Sequence, residues 1–159
     1  MNMRTTMSVS TTMNAEKILT LKNIRPTQAR RQILELLYRE ACPLTAGEII
    51  ALQKGKAADR VTIYRTLYTL AECGLVHQVQ GLDGAWRFCA HPPAKHGCPG
   101  NHPHFLCREC GKMICLTEQK LPWVEVPADV EVKGKQLVIY GSCSSCARKK
   151  KRGNRKTNN

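Results

Sequence analysis

The sequence has few aromatic residues, no long apolar run and about half as many acidic as basic side chains. Phe, Trp and Tyr make up only 5% of the chain, which argues against a surface that stacks the bases of single-stranded nucleic acid. No apolar run approaches the length of a membrane span, and the Thr-, Ser- and Met-rich residues 1–14 contain no apolar signal segment. We therefore expect neither a membrane partner nor a secreted protein.

The basic excess is distributed beyond the end of the chain. Among 159 residues, 25 Lys and Arg stand against 12 Asp and Glu, for a formal net charge of +13. Without the seven basic residues of 148–156, the remaining chain still carries +6. Such a surface attracts phosphate groups, so nucleic acid is the leading partner. A soluble basic protein with a charged tail is the alternative.

Four of the nine cysteines form two Cys-x-x-Cys pairs, Cys107 with Cys110 and Cys143 with Cys146, separated by 32 residues. Each pair places two thiols on a tight turn, and four thiolates fill the tetrahedral coordination of Zn²⁺. We therefore predict a closed structural zinc site. Two disulfides or four unrelated core cysteines are the alternatives. An odd number of cysteines in this spacing favours a reducing cytoplasm.

The first half of the sequence shows helical periodicity with clear helix starts. Thr27, the capping-box pair Thr45 and Glu48, and Asp59 each precede apolar residues at helical spacing. Gly74 fits the position just past the end of the last of these stretches. The pattern predicts three main helices, preceded by a short amphipathic one over residues 16–23.

After Gly74 the periodicity becomes that of strands. Residues 75–79 and 85–89 are predicted strands around a glycine-containing turn. Three helices followed by a hairpin describe a winged helix-turn-helix, whose last helix enters the major groove of DNA. Candidate DNA contacts near the start of that helix are Arg60, Thr62, Tyr64 and Arg65. A half-buried Tyr64 and a solvated Arg65 are the plainer interpretation.

Prolines and glycines then mark a linker over residues 91–101. Short strands are predicted beyond it, at 104–106, 113–116, 130–133 and 137–140. Candidate metal ligands surround this linker, in a set too large for one site: His77, Cys89, His91, His96, Cys98, His102, His104 and Cys115. For His91 and His96 solvated loop positions are the plainer interpretation, and for Cys98 a free loop thiol.

His102 and His104 lie two residues apart on an extended segment, so their side chains face the same way. Cys89 ends the wing and leads into the linker. A metal that joins Cys89 to either histidine would fix the angle between the two halves of the chain. That angle would set the spacing of two DNA half-sites.

Several blocks together resemble the ferric uptake regulator superfamily of bacterial metal-responsive repressors. In family order they are Arg-Pro-Thr-Gln-Ala-Arg at 25–30, Val-Thr-Ile-Tyr-Arg-Thr-Leu at 61–67, Gly-Leu-Val at 74–76, and His-Pro-His-Phe-Leu-Cys-Arg-Glu-Cys-Gly-Lys at 102–112. The resemblance implies a homodimer that binds an AT-rich inverted repeat of double-stranded DNA when loaded with metal.

The resemblance also implies a regulatory metal site. It uses the positions of Cys89, His102 and His104, with His77 in the remaining position. Iron- and peroxide-sensing branches carry a carboxylate where this chain has Cys89, whereas the zinc-sensing branch carries cysteine. Thiolate with imidazole suits zinc. We therefore expect a cytoplasmic zinc-responsive repressor of metal-uptake genes, with one structural and one regulatory Zn²⁺ per subunit. An iron- or peroxide-responsive regulator is the alternative.

Two features depart from the family pattern. Cys115 stands where an acidic residue is common, so it is either an extra soft ligand or a buried strand residue. Pro122 and Pro127 interrupt the segment that usually forms a helix between the cysteine pairs. The details of the dimer interface and any metal site built on that helix are therefore left open.

Enzymatic function is not expected. The chain has neither the His-Glu-x-x-His nor the zinc-deaminase pattern, and we expect no small-molecule substrate. A zinc-ribbon module for RNA or protein would explain the cysteine pairs but not the helices and hairpin. We predict an α+β protein divided as follows: disordered N-terminus 1–15, winged-helix DNA-binding domain 16–90, linker 91–101, small α/β zinc-binding dimerisation domain 102–147, and basic disordered tail 148–159.

Overall fold

The computed structural model describes residues 14–53, 58–90 and 102–154. Its elements in chain order are α1 (Ala15–Leu21), α2 (Gln28–Glu40), β1 (Leu44–Thr45), α3 (Ala46–Leu52), α4 (Arg60–Glu72), β2 (His77–Gln80), β3 (Trp86–Cys89), β4 (His104–Cys107), β5 (Met113–Cys115), β6 (Val138–Gly141) and α5 (Ser144–Asn154). The predicted α+β class is confirmed, with helices and then a hairpin in the first half.

The three main helices begin where local side-chain chemistry predicts. Thr27 Oγ1 accepts a hydrogen bond from the Arg30 amide at 3.4 Å, and Asp59 Oδ1 accepts one from Thr62 at 3.0 Å. Thr45 and Glu48 form the complete capping box at the start of α3. Each cap satisfies a helix-start N–H that has no partner within its own helix.

The helices of the first half pack around one apolar core against a small antiparallel sheet. The strand order is β1-β3-β2, and Leu44 lies opposite Phe88. Ile33, Leu37 and Leu67 are fully buried in this core together with Phe88. Each such side chain contributes about 1.5–3 kcal/mol through removal from water. This core fixes α4 and the β2–β3 wing to the same support.

A second three-stranded sheet forms the other half, in the order β5-β4-β6. Strand β4 is antiparallel to β5 and parallel to β6. The register places His104 opposite Cys115, and Cys107 opposite Gly141. In the first sheet, His77 lies opposite Cys89. These registers bring potential metal ligands to strand ends.

The wing hairpin packs directly on the second sheet. Val79 of β2 forms a small buried cluster with Leu106 and Met113, and Val138 covers its edge. The main-chain N–H of the next residue in the wing, Gln80, donates to the Gln136 side-chain oxygen at 3.2 Å. The Gln136 side-chain amide donates back to the carbonyl of the same wing residue at 3.4 Å. The two halves of the chain therefore share protein–protein contacts in which the candidate metal ligands take no part.

Arg87 adds a buried ionic contact at the same boundary. Its side chain is only 4% exposed, and its two terminal nitrogens donate to the Asp83 carboxylate at 2.9 and 2.7 Å. It also donates to the carbonyl of Gly111 at 3.4 Å. A buried guanidinium requires such a partner, because its desolvation is costly.

The structure differs from two sequence predictions. Residues 130–133 are not a strand, and residues 116–137 contain neither a helix nor a strand. The two prolines in this segment accordingly exclude the family's helix, as predicted. The tail predicted to be disordered from residue 148 is helical through Asn154, as part of α5. Lys and Arg are good helix formers, and the Lys150 ammonium contacts Glu109 at 2.6 Å.

Three further predictions concern the N-terminus, the linker and membrane insertion. Helix α1 begins at Ala15, with Asn14 as its cap, so only residues 1–13 of the predicted disordered N-terminus lie outside the described residues. The predicted linker, residues 91–101, also lies outside them. Among the described residues, no helix is long and apolar enough to cross a bilayer.

Candidate metal centres and DNA-binding helix

Two separate groups of side chains have metal-ligand geometry. The first, the four-cysteine site, consists of Cys107, Cys110, Cys143 and Cys146, whose sulfur atoms all lie within 4.8 Å of one another. The sulfurs of Cys110 and Cys143 are 4.0 Å apart. A tetrahedral Zn²⁺ with Zn–S bonds of about 2.3 Å requires sulfur separations of about 3.8 Å. The four residues therefore fit the structural zinc predicted from their spacing.

The local fold explains this convergence. The first pair spans the end of β4, at Cys107, and the tight turn that follows, where Gly111 has a φ of 72° that glycine adopts without steric cost. The Gly111 N–H donates to the Cys107 carbonyl at 2.9 Å. The second pair lies at the start of α5, after β6 has run parallel to β4. The Cys143 N–H donates to the Cys107 sulfur at 3.3 Å and joins the two turns.

The thiols of the four-cysteine site have different pKa values. The N–H of Cys143 stabilises the Cys107 thiolate and lowers the pKa of Cys107 to about 6. The pKa of Cys146 is raised to about 12, chiefly by its hydrogen bond with the Cys143 side chain. Four negative sulfurs repel one another without a cation, so full ionisation of the site requires a divalent ion.

The second group, the histidine–cysteine cluster, consists of His77, His102, His104 and Cys115. Its donor atoms also lie within 4.8 Å of one another. The Nε2 atoms of His77 and His104 are 3.2 Å apart. Two imidazoles on a tetrahedral zinc with Zn–N bonds of about 2.0 Å have nitrogens about 3.3 Å apart. The cluster therefore has the dimensions of a single metal site.

Burial and donor type favour a metal over a solvated polar cluster. His102 is 6% exposed and His104 is 2% exposed. His104 Nδ1 is buried and has no hydrogen-bond partner within the described part of the chain. Leaving a buried imidazole nitrogen unpaired is costly, and neutral imidazole is a common metal ligand. The cluster contains no carboxylate, so its donors are three nitrogens and one sulfur.

Cys89 lies beside this cluster rather than within the four-donor group. It is fully buried, and its sulfur is 3.5 Å from the Cys115 sulfur. The sequence hypothesis assigned Cys89 to the regulatory set and treated Cys115 as a possible extra ligand. The structure brings all five residues together and places Cys115 among the four mutually close donors.

The position of Cys115 follows from a signal that the sequence analysis did not use. The turn after β4 closes an antiparallel hairpin in which Leu106 pairs with Met113. Counting outward from this pair puts Cys115 directly opposite His104. His91, His96 and Cys98, also considered as ligands, lie outside the described residues.

Helix α4 presents one buried and one exposed face. Ile63, Thr66, Leu67 and Leu70 are buried. Arg60, Tyr64 and Arg65, three of the candidate DNA contacts, are exposed on the other side. The hydroxyl of the fourth candidate, Thr62, donates to the N-cap Asp59 at 2.8 Å and so helps to cap the helix. Val61 and Tyr68 are also exposed on this face, and the sequence analysis did not list them among the candidate DNA contacts.

Comparison with known proteins agrees with this architecture. The sequence profile of the ferric uptake regulator family matches residues 21–137. The chain is 31% identical over 142 residues to the peroxide operon regulator of Bacillus subtilis strain 168, covering 84% of this chain and 93% of that protein. It is 30% identical over 125 residues to the ferric uptake regulation protein of the same strain, covering 75% and 82%.

The fold is also similar to that of a solved zinc uptake regulator complexed with zinc and DNA. The TM-score is 0.60 at 20% sequence identity, and the match covers 86% of this chain and 93% of that chain. The sequence match carries the assignment, and the structural match supports the fold. The chain therefore belongs to the ferric uptake regulator family of metal-responsive, DNA-binding transcription regulators, which are not enzymes.

Proposed function

We propose that this protein is a zinc-responsive repressor of metal-uptake genes that acts in the cytoplasm as a homodimer. The observation that supports zinc most directly is the donor set of the histidine–cysteine cluster. Three imidazoles, one thiol and the adjacent thiol of Cys89 are soft or intermediate donors. Iron(II) and manganese(II) sites generally include carboxylates, whereas imidazole with thiolate suits zinc.

The residues that would hold the regulatory ion come from both halves of the protein. His77 begins β2 of the wing, whereas His104 and Cys115 lie on the second sheet. When bound, Zn²⁺ supplies a Lewis-acid centre shared by donors of both halves. His77 and its strand would then be held against β4, which would restrain the wing and, through the packing of Tyr68 against Phe88, the DNA-binding helix α4.

The four-cysteine site has a different proposed role. Four thiolates fill a tetrahedral zinc completely and leave no position for an exchangeable ligand. The site joins β4 and its turn to the start of α5. It would therefore stay loaded and brace the strand that carries His104, so that each subunit holds one structural and one regulatory Zn²⁺.

Helix α4 would bind an AT-rich inverted repeat of double-stranded DNA. Arg60 and Arg65 are exposed and can contact phosphates or purine edges, and Tyr64 can pack against thymine methyl groups. An inverted repeat requires two such helices. Large exposed apolar side chains on the second half support dimerisation there. They are Ile114, Trp123, Val124, Val126, Ile139 and Tyr140.

An iron- or peroxide-responsive regulator is the second candidate. The relatives that share about a third of their residues with this chain are named as peroxide and ferric uptake regulators. Against this stands the absence of a carboxylate from the four-donor cluster. A direct metal comparison separates the two candidates.

The deciding experiment uses full-length protein that retains its structural zinc. Zn²⁺, Fe²⁺ and Mn²⁺ are added anaerobically, each at buffered free concentration, and binding to a duplex selected from a random library is measured. Zinc should tighten DNA binding by about 5–150-fold, the usual range of allosteric coupling. His77→Ala should abolish this effect, and Cys73→Ser, at the end of α4, serves as the matched control. Activation by iron but not zinc would replace the proposal with the second candidate.

A further inference from the structure

Helix α5 carries a dense run of positive charge. Residues 148–152 read Arg-Lys-Lys-Lys-Arg, and Arg155 and Lys156 follow. The three side chains of this run that the structure describes, Arg148, Lys149 and Lys150, are exposed. Five consecutive residues turn through more than a full circle on a helix with 3.6 residues per turn. A helix of this sequence therefore has no apolar stripe over residues 148–152.

The start of α5 is fastened to the four-cysteine site. Cys146, on its first turn, contributes one of the four mutually close sulfurs. One turn later, the Lys150 ammonium lies 2.6 Å from the carboxylate of Glu109, within the first cysteine pair. The same carboxylate accepts a hydrogen bond from the Ser142 hydroxyl at 3.4 Å. The basic run is therefore held at a fixed place on the second half of the protein.

The positive charge of α5 is not balanced within the protein. All 12 acidic side chains belong to the described residues. The salt bridges of at most 4.0 Å among those residues include one from α5 to Glu109, but none with Arg148 or Lys149. Like charges three or four positions apart on a helix repel, and Arg148 has Lys151 and Arg152 at those distances in the sequence. An external anion would relieve this repulsion.

The composition of α5 selects among anionic partners. A membrane surface binds helices that have an apolar face, whereas Ala147 is the only apolar side chain in the sequence from 147 to 154. Single-stranded nucleic acid is held by stacking of its bases on aromatic side chains, and α5 has none. The backbone of duplex DNA requires only cations. The family of this chain binds DNA, so duplex phosphates are an anion that the protein meets.

We propose that α5 is a second DNA-binding surface, separate from α4, which contacts the phosphate backbone of double-stranded DNA without regard to sequence. Arg148 and Lys149 carry the contact among the described side chains, because both are exposed and neither has an acidic partner there. The proposal depends on the binding of DNA by this protein, and it does not depend on which metal the histidine–cysteine cluster senses.

The consequence is a contribution to affinity that carries no sequence information. Phosphate contacts hold a protein on the duplex without reading its bases. They should strengthen binding to any duplex and keep the protein on DNA while it moves toward its operator. The zinc response should persist without them, because α5 supplies no donor to the histidine–cysteine cluster.

The test compares two double variants of the full-length protein that retain structural zinc and each carry two fewer positive charges. Arg148→Gln with Lys149→Gln changes α5, and glutamine is as good a helix former as the residues it replaces. Lys120→Gln with Lys133→Gln removes the same charge from exposed positions of the same half. Fluorescence anisotropy measures binding to a duplex without an inverted repeat, at salt concentrations from about 50 to 200 mM.

The α5 variant should show a weaker dependence on salt than the wild type. Its slope of log affinity against log salt should be shallower by about 1.8, because each lost phosphate contact removes about 0.9. Over the same salt range, the wild type should therefore lose about 10-fold more affinity than the variant. The control variant should keep the wild-type slope. An equal change in both would attribute the effect to net charge and overturn the proposal. Circular dichroism and structural zinc content verify that both variants are folded.

A measurement on the wild type tests the contact without any substitution. Acetylation of lysines by acetic anhydride, followed by mass spectrometry, should be slower at Lys149 when duplex DNA is bound and unchanged at Lys120. An unprotected Lys149 would overturn the proposal. So would a larger effect of the α5 substitutions on binding to duplex RNA or polyglutamate than to duplex DNA. Failure of zinc to tighten operator binding would contradict the proposed function and leave these results unaffected.

Discussion

At the scale of single residues, Cys115 and Cys89 differ in their relation to the metal site although their sulfurs are 3.5 Å apart. Cys115 belongs to the four mutually close donors, and Cys89 does not. We expect Cys115→Ser to weaken regulatory zinc binding by more than about 100-fold, and Cys89→Ser by only about 10-fold, the lower end of the effect of residues outside the ligand set. Competition with a chromophoric chelator measures both. The reverse order would restore Cys89 as the ligand that the family resemblance implies.

Asp83 and Arg87 give a pH-dependent contribution to stability. The hydrogen bonds from Arg87 lower the pKa of Asp83 to about 2, from 3.8. The folded state therefore gains stability above pH 3.8 and loses it as the pH falls toward 2. The full shift corresponds to about 2.4 kcal/mol. Because the carboxylate is half exposed to solvent, we expect about 1 kcal/mol.

The measurement compares the wild type with Asp83→Asn by urea unfolding between neutral and acidic pH. The difference in unfolding free energy between them should shrink as the pH falls below 3.8. Because both proteins lose metal in acid, this difference isolates the Asp83–Arg87 pair. Asp129→Asn, at an exposed position in a turn, is the matched control. A difference that does not change with pH would mean that the ion pair does not form.

At the scale of elements, α3 depends on its capping box. Thr45 accepts the Glu48 N–H at 3.2 Å, and the Glu48 carboxylate accepts the Thr45 N–H at 2.7 Å. Thr45→Ala should lower the free energy of unfolding by about 1 kcal/mol. The midpoint of urea unfolding should fall with an unchanged slope. Thr20→Ala, an exposed position within α1, should have little effect, and an equal loss in both variants would refute a capping role for Thr45.

Helix α4 should bind DNA through its exposed face. Arg65→Ala should weaken binding of the zinc-loaded protein and reduce the salt dependence if Arg65 contacts a phosphate, because fewer counterions are released. If it contacts a purine edge instead, the loss should be about 1–3 kcal/mol and depend on sequence. Fluorescence anisotropy at several salt concentrations distinguishes the two. Arg39→Ala, on α2, is the matched control. Equal effects of the two variants would exclude α4 as the recognition helix that enters the DNA groove.

The elements show which parts of the fold local sequence can predict. Thr27, Thr45 and Asp59 predict helix starts because a cap and its N–H partners lie within three residues of one another. The strand predicted at 130–133 was wrong because strand formation needs a partner strand, which apolar alternation does not provide. Helix α5 was missed because its basic composition resembles a solvated tail, whereas the contact with Glu109 that steadies it is 41 residues away.

At the scale of the whole molecule, the candidate site could be predicted only in part. The four-cysteine site follows from spacing alone, since each pair lies within one turn. The histidine–cysteine cluster depends on how the wing packs on the second sheet, and no local pattern encodes that arrangement. His77 and Cys115 are 38 positions apart in the sequence, yet their donor atoms lie within 4.8 Å of each other.

The same packing predicts that the wing is partly docked without regulatory metal. The buried cluster around Val79 and the paired hydrogen bonds of Gln80 with Gln136 need no ion. Zinc would then stabilise an arrangement that the protein contacts already favour, so weakening those contacts should reduce the coupling between zinc and DNA. Gln136 is the cleanest position to change, because its amide bonds only the wing backbone among the contacts seen in the described residues.

Gln136→Ala should therefore leave the four-cysteine site loaded but loosen the wing. The Gln80 amide loses its acceptor, and we expect its hydrogen exchange to become several-fold faster, in line with about 1 kcal/mol for one hydrogen bond. The zinc-dependent gain in DNA affinity should fall by a similar factor, because the wing then samples arrangements that do not match both half-sites. Hydrogen-exchange mass spectrometry and DNA titration measure the two effects, with Gln119→Ala, an exposed glutamine in the turn after β5, as the control. Faster exchange with unchanged zinc–DNA coupling would show that the metal alone sets the position of the wing.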